Sequence, residues 1–150
     1  MKNYFKYAFL GMAMLGLVVT TGCSEEQSSI NINDVTTTTT IMGGVVAEVY
    51  IDDWVDVPVA GRTVFVGVPN STFRDGASGY TWHTTTILAD GTFNISVPFI
   101  NDGEVLIYAE AFTTTVSGEQ ILFSTNRTSI WVEEGNIRTW SIFYDVDFLF

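Results

Sequence analysis

One cysteine, one histidine and three prolines in 150 residues exclude several kinds of protein at the outset. A lone Cys23 admits no intrachain disulfide. Lysine occurs only as Lys2 and Lys6, both ahead of Cys23, and His83 is the sole imidazole, so groups that could be activated for catalysis are few. No serine sits in a nucleophile-elbow glycine pattern. Long hydrophobic runs are also missing: the longest, Tyr7 to Val19, has thirteen residues, short of the ~20 a membrane-spanning helix needs. Positive charge is scarce throughout, with six Lys and Arg against seventeen Asp and Glu, a net charge of −11. All seventeen carboxylates follow Cys23, where they face only Arg62, Arg74, Arg127 and Arg138, a balance of −13. Such a surface repels phosphate backbones and acidic membrane surfaces, which excludes nucleic acid as a partner.

The N-terminus reads as a processed segment. A basic start, a short apolar run and the small residues Thr20-Thr21-Gly22 ahead of Cys23 have the layout of a signal peptide. That ending resembles the lipobox of bacterial lipoproteins, with Thr20 where leucine is commonest. The resemblance implies a cut after residue 22 and lipid on the Cys23 thiol, which would tie the chain to a membrane. Each buried lipid methylene contributes ~0.8 kcal/mol to such an anchor. Ser24-Glu25-Glu26 resembles the export signal of surface lipoproteins from Bacteroidota, implying an outer-membrane and outward-facing location. Residues 23–40 are polar and lack helical period, as expected of a tether, although the threonines from Thr36 to Thr40 are β-branched and suit the start of a strand.

From residue 41 to 150 the pattern is that of strands and turns. Gly43 to Ile51 alternates Val45, Ala47, Val49 and Ile51 on one side, Arg62 to Val68 is apolar at nearly every position, and Tyr80 to Leu88 forms the next strand. Asp90-Gly91 is a tight-turn signal, and Thr92 to Val97 then places Phe93, Ile95 and Val97 on one face. The spacing predicts that the strands on either side of this turn pair as a hairpin. Glu104 to Thr114, Gln120 to Val132 with an irregularity near Asn126, and Ile137 to Phe150 complete the set. About seven strands separated by turn signals predict an all-β fold, a single antiparallel β-sandwich. A domain of this length buries enough apolar surface to do without disulfides.

The order of the Gly44-Val45-Val46 strand, the Val57-Pro58-Val59-Ala60-Gly61 turn, the Thr63-Val64-Phe65-Val66 strand and the segment Thr86 to Pro98 resembles the carboxypeptidase-regulatory or transthyretin-like (prealbumin-like) sandwich. Ile87 stands where that family often has aspartate. The resemblance covers roughly residues 43 to 115, and it implies a fold more than an activity. Without lysine after Cys23, the Lys-Asn isopeptide crosslink of a related surface-domain family is ruled out.

The function expected from these residues is a non-catalytic, envelope-anchored module for a glycan or a neighbouring surface protein, with no cofactor. Exposed aromatic rings stack on sugar faces, which makes Trp54, in the acidic loop, the candidate ligand-binding residue. Trp82 and Trp140 lie in alternating strands and read as core. Asp52, Asp53 and Asp56 crowd one turn and are weak candidates for a hard cation, since their spacing matches no calcium loop and a solvated acidic loop is the simpler reading. His83, among threonines, reads as an ordinary strand residue. Two alternatives remain. The chain could be a subunit or anchor of a surface assembly, as in the lipoprotein pilins of Bacteroidota; those carry two such domains and a cleavable arginine site, whereas no arginine precedes Arg62 here. Alternatively, the alternation of Ile142, Tyr144, Val146, Phe148 and Phe150 resembles the closing strand of a small outer-membrane β-barrel, against which Glu48, Glu110 and Arg127 interrupt the strands that would face lipid.

Overall fold

A computed structural model describes Val35 and residues 37–149. The expectations for residues 1–22, Cys23, Ser24-Glu25-Glu26 and terminal Phe150 fall outside the described residues. The strands, in chain order, are β1 (Thr38–Val46), β2 (Glu48–Tyr50), β3 (Trp54–Asp56), β4 (Thr63–Pro69), β5 (Tyr80–Thr86), β6 (Thr92–Pro98) and β7 (Gly103–Ala109). They continue as β8 (Phe112–Val116), β9 (Glu119–Ser124), β10 (Thr128–Val132), β11 (Ile137–Thr139), β12 (Ile142–Phe143) and β13 (Asp145–Phe148). A single 3-10 turn at Asn70–Thr72 is the only helical element among the described residues. The fold is an all-β sandwich whose apolar sides meet in one contiguous core, with Phe93, Phe99 and Phe123 its largest fully buried side chains.

The first sheet is built around β1. Its residues Thr38 to Gly44 pair antiparallel with β6, from Thr38 opposite Pro98 to Gly44 opposite Thr92. Its other edge pairs in parallel with β11 and then β12. The strand therefore starts at Thr38, ahead of the boundary at residue 41. Thr39 explains this: it is fully buried, and its hydroxyl donates to the Glu133 carbonyl at 2.8 Å, so the end of the threonine run is structure rather than tether. Between β11 and β12 the Trp140 N–H donates to the Met42 carbonyl at 2.9 Å, and the Trp140 carbonyl is pressed against Gly43.

The stretch from Gly43 to Ile51 is two strands, not one. Its alternation is real, since Val45, Ala47 and Val49 are all buried. Its partners change at Ala47, whose carbonyl accepts from Val57 N–H at 2.8 Å, and β2 then pairs with β3 as a separate two-stranded ribbon.

The second sheet is antiparallel in the order β10, β7, β4, β5, and the third in the order β13, β9, β8. In the second sheet Val64, Val66, Val68, Val105, Ile107, Ala109, Ile130 and Val132 point into the core. The expected strand from Glu104 to Thr114 breaks at Glu110-Ala111: Ala111 is exposed and Phe112 is buried, because β8 leaves β7 to join the third sheet. The strand from Gln120 to Val132 likewise divides at residues 125–127 into β9 and β10, at the irregularity near Asn126. The C-terminal stretch is three short pieces, of which β13 pairs with β9 alone.

The Asp90-Gly91 turn is present, but the hairpin expected around it is not. Gly91 takes a positive φ of 78°, its N–H donates to Leu88 O at 3.0 Å, and Leu88 N–H donates to Thr92 O at 2.8 Å. Asp90 Oδ1 accepts from both the N–H and the hydroxyl of Thr92, at 3.0 and 2.6 Å, and these bonds hold the Asp90 carboxyl below the ordinary aspartate range. Beyond this rung the backbone ladder between them ends, with only the Thr85 hydroxyl still donating to the Asn94 carbonyl at 3.0 Å: β5 runs along β4 and β6 along β1. The turn is thus a corner between two sheets, with Ile87 pinned to the β4 side by mutual backbone hydrogen bonds to Gly61 and Arg62.

Candidate binding face

Trp54 and its acidic neighbours sit on the β2–β3 ribbon. Tyr50 lies directly opposite Trp54 in the register, and the two rings meet edge to face with centroids 5.5 Å apart. Trp54 is 67% exposed and Tyr50 57% exposed. The sequence reading therefore places Trp54 correctly in solvent, with an aromatic partner it did not anticipate. On the same side Glu48 opposes Asp56, a like-charged cross-strand pair that weakens the ribbon. Asp53 Oδ1 accepts from the Trp54 N–H at 2.8 Å. No group of three or more His, Cys, Asp or Glu side chains among the described residues is placed to hold a metal ion, and that includes Asp52, Asp53 and Asp56. A cleft of about 470 Å³ at the foot of the ribbon is lined by Glu48, Asp56, Pro58, Ala89 and Asp90, without Trp54.

A larger aromatic cluster lies elsewhere, on the outer face of the second sheet. Alternation along β4, β5 and β7 sends Val64, Val66, Ile107 and their neighbours inward, so Phe65, Gly67, Tyr80, Trp82 and Tyr108 face outward. Trp82, expected in the core, is on this face and 38% exposed. Its position follows from that of β5, which pairs with β4 alone, so its inward residues Thr81, His83 and Thr85 are only half-buried and the large rings lie outside. Gly67 stands opposite Trp82 in the ladder, and a β-carbon there would be 2.8 Å from Cζ3 and 2.9 Å from Cη2 of the indole. The missing side chain is what lets Trp82 settle onto the sheet.

Around Trp82 the rings are ordered. Tyr108 meets it edge to face at 5.5 Å and 83°, Tyr80 lies 5.8 Å away at a tilt of 38°, and Phe65 stacks on Tyr108 at 4.7 Å and 8°. The exposed Arg127 guanidinium sits in the angle between two of these rings, 5.4 Å from the Trp82 centroid and 5.1 Å from that of Tyr108. Trp131, 53% exposed, faces outward from β10 on the same sheet, opposite Glu104. Glycine in the otherwise apolar run of β4 was the sequence signal for this site, because a glycine inside a strand marks a close approach.

Two further features are packed into the sandwich. Arg62 lies 3.3 Å above the Phe112 ring centroid, and Tyr144, buried beside Phe112 and Phe123, donates its hydroxyl to the Glu110 carbonyl at 2.7 Å. Burial pushes the Tyr144 phenol up to about 12, with the Arg62 charge opposing and the Glu110 charge adding to the shift. His83 Nε2 is buried with no hydrogen-bond partner among the described residues, and burial lowers the imidazole below its ordinary value. Trp140, the other tryptophan expected inside, is half-buried and packs against the core. No protein-family profile matches the sequence, and no curated protein matches it.

Proposed function

We propose that this chain is a non-catalytic binding module that recognises a saccharide through the outer face of its second sheet, with Trp82 and Tyr80 as the stacking surface. One observation carries the reading: four aromatic rings and a guanidinium, held in contact on an exposed sheet face, with a glycine beneath the central tryptophan. Large rings cost less to order when their neighbours already hold them, and a flat apolar surface with polar groups at its margin suits the face of a pyranose. Ser129, Thr84 and Glu104, on the outer side of the same sheet, supply hydroxyl and carboxylate partners for sugar hydroxyls. Tyr50 and Trp54 on the ribbon form a smaller pair and are a secondary contact in this reading.

The test is titration of the purified chain with a panel of neutral and acidic oligosaccharides, read by tryptophan fluorescence. Trp82→Ala is expected to weaken binding at least tenfold, and Trp54→Ala to change it by less than threefold. The reverse order would move the site to the ribbon, and no binding by any oligosaccharide would remove the saccharide reading.

The module is delivered, in the same proposal, as an outer-membrane lipoprotein anchored through Cys23. Support comes from the basic start, the short apolar run and the small residues before that cysteine. Labelling with an alkyne fatty acid is expected in the wild type and absent from Cys23→Ala. Equal labelling of both would sink the anchor.

A further inference from the structure

We infer that the saccharide taken by this face is an acidic one, with its carboxylate held by Arg127 while a sugar ring lies against Trp82. The inference rests on the saccharide reading above and adds the charge of the ligand. Arg127 is one of only four arginines in a chain with seventeen carboxylates. In so acidic a protein an arginine is expected to pair with an acid, yet the contacts of this one among the described residues are the rings of Trp82 and Tyr108.

Three carboxylates of the surrounding strands and loops accept hydrogen bonds from neutral donors. Asp145 accepts from Asn126 Nδ2 at 2.8 Å, Glu104 accepts from the Ser129 hydroxyl at 2.8 Å, and Glu110 accepts from the Thr63 N–H at 3.1 Å. The guanidinium is positioned by two aromatic rings and has no carboxylate partner among the described residues.

A guanidinium over an aromatic ring still has its N–H donors directed along its own plane, and their fork spacing matches a carboxylate. The packing of Arg127 against the rings also lowers the entropy lost when those donors are used. A uronate brings both halves of the match in one residue, an apolar ring face for Trp82 and a carboxylate close by for Arg127. Salt at physiological strength screens the net charge of −11 beyond ~8 Å, which leaves the carboxylates on the same face, Glu104 among them, as the charges that oppose an anion. The recognition is therefore local to one cation on one face.

The experiment compares the full chain's affinity for an oligogalacturonate and an oligoglucuronate with its affinity for their methyl esters, which keep the rings and remove the charge. The acid form of at least one of them is expected to bind tenfold or more tightly than its ester. Arg127→Gln should bring the two forms within about twofold of each other, and Arg127→Lys should restore part of the preference. Thermal melting of each variant checks that this exposed position has not altered the fold. Equal affinity of acid and ester, with both lost in Trp82→Ala, would overturn the acidic ligand and keep the saccharide site. An acid preference that survives in Arg127→Gln would overturn the role of Arg127, and failure of every oligosaccharide to bind would overturn both readings.

Discussion

The carbonyl of Trp140 occupies the space that a β-carbon on Gly43 would need. Gly43 lies mid-way along β1, where the strand changes partner from β11 to β12, and Trp140 is the link between those two strands. The clash is with backbone, so it cannot be relieved by a side-chain rotation. Gly43→Ala is expected to cost about 3 kcal/mol or more, at or beyond the upper end of the usual range for overpacked cores, or to prevent folding. Gly44→Ala is the control, because its β-carbon would meet nothing within 4 Å, and it should cost less than about 1 kcal/mol. Urea unfolding of the two variants checks the difference.

Tyr144 ties the third sheet to the end of the second through its hydrogen bond to the Glu110 carbonyl. Its phenol, ordinarily near 10, is pushed up to about 12 by burial in the fold. A raised value means that the folded state holds the proton more tightly than the unfolded chain. The contribution to stability is therefore whole below pH 10 and is lost as pH rises from 10 through about 12. Tyr144→Phe should lose about 1 kcal/mol at pH 7 with the hydrogen bond. It should also show a shallower fall in stability than wild type between pH 10 and 12, measured by urea midpoint.

The parts of the fold that were legible are those set by local rules. Phe93, Ile95 and Val97 alternate inward as their period requires, and the turn at Gly91 has the positive φ that its sequence demands. What the local pattern does not carry is the choice of partner. Leu88 and Thr92 meet as in a hairpin, yet β5 and β6 separate because each finds a longer ladder elsewhere, β5 with β4 and β6 with β1. Those ladders join residues far apart in sequence. The same non-local choice decided the binding face. A tryptophan alternating with Thr81 and His83 is ordinarily the buried partner, but at the free side of β5 the inner positions are half-open and the ring gains more by covering Gly67. Trp54 was legible because acidic residues flank it on both sides, and Tyr50 was missed because only the ribbon register brings it there.

His83 gives a second pH dependence, of opposite sign. Its Nε2 is buried with no partner among the described residues, and burial lowers its pKa below the ordinary value of 6.5. The unfolded chain then takes up a proton more readily than the folded one. Stability from this group is full above pH 6.5 and declines as pH falls below it. A urea midpoint that drops between pH 7 and 5.5 in wild type should drop less in His83→Gln. Parallel curves would show that other groups set the acid limit.

The last prediction separates the architecture of the binding face from the stability of the sandwich. Gly67→Ala places a methyl group 2.8 Å from the Trp82 ring, a clash with the far end of a side chain that can swing away. The backbone there needs no left-handed conformation, and alanine is less costly than glycine within a strand by about 0.5–1 kcal/mol. The two effects offset, so the melting temperature should move by only a few degrees. The rings, however, are coupled: displacing Trp82 removes its edge contact with Tyr108 and one of the two rings that position Arg127. Oligosaccharide affinity should therefore fall about as far as in Trp82→Ala, tenfold or more, in a chain that remains folded. Retention of wild-type affinity in Gly67→Ala would mean that the resting position of Trp82 on the sheet is not what the ligand meets.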